Sequence, residues 1–477
     1  MLFNSLHFLV FFPIVTLVYL IVPKKLRCIW LLAASYYFYM SWNPTYALLI
    51  AFSTVSTFFT GIFLGKTKKR EEKNLCLAIS FVINLGILFF FKYFDFALEN
   101  VNRVLALLNM EIVEKSFDIL LPVGISFYTF QALGYTMDVY REDIQPEKNL
   151  IRYALFVSFF PQLVAGPIER SENLLRQIQS ADKQKLWNAA RIRDGLLLML
   201  WGFFQKLMIA DRAAIAVNAV YDQYQVFGGG EIVLATVLFA FQIYCDFDAY
   251  TNIARGAARV CGFELMANFR QPYFATNIAD FWRRWHISLS SWFRDYLYIP
   301  LGGSRVSKMR NWMNLMITFL VSGAWHGASW HFIAWGGIHG AYQIVGKWKK
   351  ELFKKELPKV VQMAVTFVLV CFAWMVFRAN SMGDVKRMIV LIITKPFFKD
   401  LPAMNMSVVE WTLLCVSLVV LFMVNLLQEK KISVRQLVIK RPIFVRIALY
   451  VLGIGCILVF GVYGVAYDAS QFLYFQF

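Results

Sequence analysis

Apolar runs about as long as a membrane-crossing helix recur from one end of this sequence to the other. Residues 3–22 contain no charged side chain, and residues 311–342 contain no Lys, Arg, Asp or Glu. A helix needs about 20 apolar residues to cross a hydrocarbon core. Of the 477 residues, 16% are charged, against roughly 25% in soluble domains. The pattern predicts an all-α, polytopic membrane protein.

The candidate membrane-crossing runs are spread evenly along the chain. They lie near residues 3–22, 28–41, 44–65, 75–97, 117–137, 151–167, 195–216, 230–248, 313–344, 359–378, 408–427 and 443–464. Basic residues follow the first run and none precedes it, which is the reverse of a cleaved signal peptide, so we expect a retained first span. With no low-complexity linker, we expect one membrane domain over 1–477. It comprises N-terminal spans (1–115), a core (116–346), C-terminal spans (347–464) and an extracytoplasmic tail (465–477).

The formal net charge of +18 is typical of nucleic-acid binding in a soluble protein, but here it has a topological explanation. Basic clusters at 66–73, 347–359 and 430–446 fall in short loops between apolar runs. Such loops face the cytoplasm. We therefore expect no nucleic-acid partner, with both termini outside the cytoplasm.

Two of the runs contain helix breakers. Pro122 and Gly124 interrupt one, and the other contains Pro161, Gly166 and Pro167. Non-helical backbone at membrane depth is tolerated only where protein or a water-filled cavity surrounds it. The core is therefore predicted to enclose a cavity. No fixed-period repeat or pair of similarly broken helices accompanies it, which weighs against a transporter or flippase.

A charge-free run contains the most distinctive polar group, His326 in Ser322-Gly-Ala-Trp-His326-Gly. Ionisable groups at membrane depth usually face a protein interior or an aqueous path. A neutral histidine bonded within a helix interface is the alternative, and it suits His331 and His339 better. On one ideal helix these two lie about 140° and 220° around from His326. No shared histidine face results, so we expect no metal site.

The segment from Asp280 to Arg305 has apolar residues at helical spacing. This stripe comprises Trp282, Trp285, Leu289, Trp292 and Tyr296. It predicts an amphipathic helix, which on the simplest interpretation lies in the membrane interface. That interpretation does not account for His286 beside Arg283 and Arg284, a combination that suits a donor carrying phosphates. At the end of another run, Gln242 and Asp246 either line the cavity or mark the wet end of a span.

Four ordered blocks resemble the membrane-bound O-acyltransferase superfamily, in particular the branch of alginate O-acetylases and peptidoglycan O-acetylation subunits. The blocks are Leu121-Pro-Val-Gly-Ile-Ser-Phe-Tyr-Thr-Phe-Gln131, Phe160-Pro-Gln-Leu-Val-Ala-Gly-Pro-Ile-Glu169, Phe281-Trp-Arg-Arg-Trp-His286 and Trp325-His326-Gly327. The resemblance implies a helical bundle in the cell membrane, with broken or re-entrant helices around a transmembrane tunnel. It also implies acetyl transfer from a cytoplasmic thioester to an extracytoplasmic polysaccharide.

Roles follow residue by residue from that resemblance. His326 matches the catalytic histidine and His286 the second polar position. Arg283 and Arg284 are expected to bind the phosphates of acetyl-CoA or an acyl-phosphopantetheine, with no tightly bound cofactor. Along the tunnel we place Gln242, Asp246, Ser322 and Trp325.

The segment Phe472-Leu-Tyr474-Phe-Gln-Phe477 resembles a terminal Phe-x-Tyr-x-x-Phe element of this branch. The resemblance implies that Tyr474 relays the acyl group to an SGNH-type transferase or a similar secreted partner. An aromatic tail at the outer interface is the alternative. D-alanyl transfer to teichoic acid is the nearest rival function, and a non-catalytic scaffold is a further one.

Overall fold

The structure, a computed structural model, describes residues 1–115, 121–183, 185–352 and 357–463, with the backbone alone at 350–352. Within these ranges every regular element is helical, which confirms the all-α class. The tail with Tyr474 lies outside the described residues, as do residues 116–120 at the start of the predicted core.

The chain forms two compact units. Unit 1 comprises Met1–Ala189, Ala258–Met266 and Gly327–Ser329, and unit 2 comprises Ala190–Ala257, Ala267–His326 and Trp330–Phe477. The helices of unit 1 are α1 (Leu6–Ile21), α2 (Arg27–Met40), α3 (Tyr46–Lys66), α4 (Arg70–Leu107), α5 (Ile125–Tyr140), α6 (Leu150–Ser158) and α7 (Arg176–Gln179).

Unit 2 contains the remaining α-helices. They are α8 (Ala189–Phe204), α9 (Asp211–Asp222), α10 (Gly229–Cys261), α11 (Ile278–Arg284), α12 (Ile287–Phe293), α13 (Lys308–His326), α14 (Trp330–Leu352), α15 (Lys359–Arg378), α16 (Met382–Thr394), α17 (Val408–Glu429), α18 (Val434–Ile439) and α19 (Ile443–Phe460). A π-helical turn, Gln205–Ala210, joins α8 to α9.

Six of the described helices are long and apolar enough to cross a membrane: α3, α4, α10, α15, α17 and α19. The polytopic character predicted from the apolar runs is confirmed. Of these six, α10 has the largest buried share, and the rest of unit 2 packs around it.

Both runs with helix breakers are interrupted in unit 1, as predicted. Helix α6 ends at Ser158, and the following residues, through Arg170, form no helix. Gly124 begins α5 with a φ of +77°, and a Cβ there would lie 2.7 Å from the Leu163 carbonyl oxygen. The irregular backbone is buried and hydrogen-bonded, since the Phe160 N–H donates to the Ser35 hydroxyl at 3.0 Å. Protein therefore replaces water around this segment.

The prediction of one amphipathic helix from Asp280 onward is wrong. Helix α11 ends at Arg284, α12 begins at Ile287, and a π-helical turn follows at Arg294–Tyr298. Trp285 and Leu289 are each 1% exposed, so the apolar stripe packs inside unit 2. The residues at this spacing are apolar, as predicted. They pack in the interior of the protein and not in the membrane interface.

The charge-free run forms a hairpin instead of one helix. Helices α13 and α14 are separated at Gly327–Ser329, which places His326 on a different helix from His331 and His339. The angles predicted between His326 and the other two histidines assumed a single helix, and that assumption was wrong. Glycines let the two helices approach closely, because a Cβ on Gly323 would lie 2.3 Å from the Phe332 carbonyl oxygen. Small residues serve this purpose in membrane helix pairs.

Gly336→Ala should destabilise the hairpin, because the added Cβ would lie 2.2 Å from the Phe319 carbonyl oxygen. Overpacking of this kind costs about 1–3 kcal/mol, which thermal unfolding in detergent will show as a lower melting temperature. Gly346→Ala, on the same helix, is the matched control because nothing lies within 4 Å of its Cβ. Equal melting temperatures for the two variants would contradict the close packing.

Candidate functional site

The two predicted catalytic histidines lie together in unit 2. His326 is the last residue of α13, and His286 precedes the first residue of α12. Their ring centroids are 6.5 Å apart. His326 is 6% exposed and His286 fully buried. Two blocks separated by about 40 residues in the sequence thus form one imidazole pair.

His286 has a left-handed backbone conformation, with φ +41° and ψ 55°. For a non-glycine residue such a conformation costs about 1–3 kcal/mol of free energy, and it persists only where contacts with neighbouring residues stabilise it. Asn268 is that neighbour: its carbonyl accepts the Ile287 N–H at 2.9 Å, and its side chain accepts the Ser288 N–H at 3.2 Å. The chain therefore reverses at His286 and points the ring inward. Asn268 was not identified from the sequence.

Aromatic rings surround the imidazole pair. The Phe247 centroid lies 4.7 Å from that of His286. Around His326, the ring centroids of Trp325 and Trp335 lie at 5.1 Å, and that of Phe377 lies at 5.5 Å. Burial lowers the pKa of His286 to about 3, because an apolar environment disfavours the charged form. His286 is therefore neutral at physiological pH.

A cavity of about 340 Å³ is lined by residues that neighbour both histidines in the sequence, although neither imidazole is part of its lining. Its lining comprises Ala279, Trp282, Arg283, Ile287, Leu289, Ser290, Ser291, Phe293, Arg294, Tyr298, Leu315, Thr318, Phe319, Ser322 and Gln343. Ser322 is one helical turn before His326, and Ile287 adjoins His286. Arg283 and Arg294 are exposed. The cavity thus extends from two exposed guanidinium groups to residues beside both imidazoles.

The two arginines that were predicted to bind the donor, Arg283 and Arg284, have different surroundings. Arg283 lines the cavity, and its Nε donates to the Ala279 carbonyl at 3.2 Å. Arg284 donates to both carboxylate oxygens of Glu429, at 2.7 and 3.2 Å, and to Asp280 at 3.1 Å. Two carboxylates therefore balance its charge, and phosphate binding by Arg284 stays a prediction.

Asp246 participates in a buried charge network. The Lys206 ammonium donates to Asp246 at 2.6 Å and to Asp211 at 2.8 Å, and all three side chains are at most 7% exposed. Lys206 lies in the π-helical turn between α8 and α9. It was not identified from the sequence, although a lysine inside an apolar run is a recognisable signal.

The remaining predicted tunnel residues have different surroundings. Gln242 is buried on α10, one turn before Asp246, whereas Ser322 lines the cavity. Trp325 contacts both imidazoles, since its ring lies 6.0 Å from that of His286. A continuous tunnel stays a prediction. Among the described residues, no group of three or more His, Cys, Asp or Glu side chains is arranged to hold a metal ion.

The fold and the site together define a multi-pass helical membrane protein with two buried histidines beside a cavity. Residues 146–383 match the model of the membrane-bound O-acyltransferase family. The chain belongs to this family and is an acyltransferase. The two histidines, Arg283 and the cavity all lie within the matched residues.

By their names, the similar proteins acylate alginate, peptidoglycan or teichoic acid. The chain is 37% identical over 394 residues to a probable alginate O-acetylase of Pseudomonas aeruginosa, covering 81% of this chain and 74% of the relative. It is 34% identical over 415 residues to the peptidoglycan O-acetyltransferase of Helicobacter pylori, with coverage of 80% and 78%. The teichoic acid D-alanyltransferase of Bacillus subtilis is 29% identical over 282 residues, 54% of this chain and 69% of that protein.

Lys206→Met should destabilise the protein strongly, because Asp211 and Asp246 would be left buried without their cation. Removal of one partner from a buried ion pair costs about 3–5 kcal/mol, to be measured by thermal unfolding in detergent. Lys69→Met, in the exposed Lys69–Glu72 pair, should leave the melting temperature unchanged. A Lys206→Met protein as stable as wild type would show that the network contributes nothing to stability.

Proposed function

We propose that this acyltransferase passes an acetyl group from cytoplasmic acetyl-CoA to a hydroxyl of an extracytoplasmic cell-envelope polysaccharide. The observation that carries the proposal is the buried imidazole pair beside a cavity with exposed guanidinium groups. The thioester reaches the histidines through that cavity. An SGNH-type transferase or a similar secreted protein completes delivery to the polymer.

In the proposed reaction, His326 is the general base. The acceptor oxygen attacks the thioester carbonyl carbon while His326 takes the hydroxyl proton. The C–S bond then breaks, and the proton passes from the imidazole to the departing thiolate. The products are an ester and a free thiol, so no net proton is released. His286, neutral and held by its backbone reversal, orients the reacting groups.

The donor binds at the exposed rim of the cavity. Guanidinium groups recognise phosphate oxygens by paired hydrogen bonds, and Arg283 presents such a group on the cavity lining. Arg294 lines the same rim and donates to Asp295 at 2.7 Å. Because Arg284 is engaged with two carboxylates, we assign the donor phosphates to Arg283 first.

Acetyl transfer is favoured over D-alanyl transfer by the extent of similarity. The acetylating relatives align with about four-fifths of the chain, whereas the D-alanyltransferase aligns with 54% of it. We further propose that the protein resides in the plasma or inner membrane, with both termini outside the cytoplasm. The basic clusters between its apolar runs support that orientation.

His326→Ala should abolish acetylation, because the acceptor hydroxyl loses its base. A general base contributes about 10²- to 10⁴-fold to the rate. Two measurements check this: O-acetyl groups on purified envelope polymers, and thiol release from acetyl-CoA by the purified protein. His7→Ala is the matched control, since His7 is exposed and its imidazole shares a hydrogen bond with the Tyr37 hydroxyl, far from the histidine pair in the sequence. Retained thiol release and acetylation by a folded His326→Ala protein would disprove the assignment.

We also propose that Tyr474 carries the acyl group between donor and polymer. The phenol oxygen would attack the thioester carbonyl carbon while His326 takes the phenol proton, and the C–S bond would break to release the thiol, which receives that proton. The polymer hydroxyl would then attack the tyrosyl ester, and its proton would pass to the departing phenol. The Phe-x-Tyr-x-x-Phe resemblance supports this.

Mass spectrometry of the peptide containing Tyr474 tests the relay, in cells that lack the downstream transferase. We expect a mass increase equal to one acetyl group, absent from His326→Ala. Unmodified Tyr474 in cells that contain active enzyme would discard the relay while leaving direct transfer intact.

A further inference from the structure

A second cavity, of about 450 Å³, lies in unit 2 and shares no lining residue with the cavity beside the histidines. Helices α8, α17, α18 and α19 form its apolar walls. Those walls include Leu197, Phe204, Val424, Val438, Cys456 and Ile457. Three of the helices that enclose it, α10, α17 and α19, are long and apolar enough to cross a membrane. A cavity of this composition suits a hydrocarbon chain.

Most of the polar lining lies at one end. Arg255, Gln271, Gln428 and Arg435 form this polar end, near the ends of α10 and α17 and on α18. Gln271 donates to Gln428 at 2.6 Å, and Arg435 donates to Asp194 at 2.7 Å. Asp248 and Asn252 of α10 also line the cavity, and both hydrogen-bond to Gln205. The apolar surface of the cavity therefore lies mainly on α8 and α19, away from the polar end.

The sequence over the polar end is strongly cationic. Residues 430–446 contain Lys430, Lys431, Arg435, Lys440, Arg441 and Arg446 and no Asp or Glu. The same segment supplies Val434, Arg435 and Val438 to the lining. Cations beside a membrane attract anionic headgroups, at about 1 kcal/mol for each Lys or Arg. Charge complementarity therefore selects an anionic amphiphile over a neutral one.

A buried hydroxyl in the cavity gives a further indication of a ligand. The Tyr450 side chain lines the cavity, and its buried oxygen has no hydrogen-bond partner among the described residues. Buried hydroxyl groups are nearly always paired with protein, water or ligand. Tyr450 is one helical turn from Arg446 on α19, so its hydroxyl can meet the ester or phosphate oxygens of a headgroup.

We propose that this cavity binds one anionic phospholipid. Its acyl chain lies along α8 and α19, and its phosphate lies beneath the basic segment 430–446. Two rings separate this lipid from the histidine site: Phe269 lines the cavity, and its centroid lies 5.2 Å from that of Phe247, which in turn contacts His286. The lipid is a structural ligand of unit 2 and takes no part in acyl chemistry.

Native mass spectrometry of the full chain, purified in detergent and delipidated, tests the proposal. The probes are phosphatidylglycerol and phosphatidylcholine with identical acyl chains. We expect one retained phosphatidylglycerol, bound about tenfold more tightly than phosphatidylcholine. Phosphatidylglycerol should also raise the melting temperature, since a ligand of the native state stabilises it. No retained lipid, or equal retention of the two lipids, would overturn the proposal.

Three variants locate the site. Cys456→Phe fills the apolar end and should weaken phosphatidylglycerol binding about tenfold. Tyr450→Phe, which keeps the ring and removes the unpaired hydroxyl, should weaken binding by a smaller factor without affecting folding. Val459→Phe is the control on the same helix, because Val459 is 70% exposed and does not line the cavity. Wild-type binding by both Cys456→Phe and Tyr450→Phe, or an equal loss in Val459→Phe, would place the lipid elsewhere.

Discussion

A charged side chain in the middle of a membrane protein must find its counter-charge within the protein, because lipid offers none. In this chain Lys206 meets this requirement, because its ammonium group lies between the carboxylates of Asp211 and Asp246. The two acids lie on different helices, α9 and α10, so one ammonium group ties both to the turn that follows α8. The position of α10 in unit 2 depends on this interaction.

Helix α10 contributes one of the rings that pack against the histidine site. Phe247 follows Asp246 directly, and its ring contacts His286. Gln205, next to Lys206, donates to Asp248 at 2.8 Å. The polar side chains on either side of Phe247 are therefore anchored in the same π-helical turn, and the ring between them packs against the imidazole. The ring that contacts His286 and the acid that pairs with Lys206 are therefore neighbours on one helix.

The sequence predicts most of the features that a membrane environment requires, namely long apolar helices and buried interruptions between them. The apolar runs and the interruptions around Gly124 and Pro161 follow from residues that are local in sequence, and the family resemblance indicates that His286 and His326 belong to one site. The surroundings of His286 do not. Asn268, Phe247 and Trp335 reach the imidazole pair only through tertiary packing, and no spacing rule connects them to it. The single helix predicted from Asp280 was wrong for the same reason: the apolar spacing continues past His286, but the Ile287 and Ser288 N–H groups donate to Asn268 and interrupt the helix there.

The π-helical turn at Gln205–Ala210 has a consequence for how such a chain can vary in length. A π turn holds one residue more than an α turn, so removing any one residue there would leave a regular helix that is easier to form. The residues beyond it would keep nearly the same orientation relative to α8, because the wider π turn absorbs its extra residue without rotating the helix that follows. A change of one residue in chain length is therefore accommodated at this turn, as long as Lys206 itself is kept between Asp211 and Asp246.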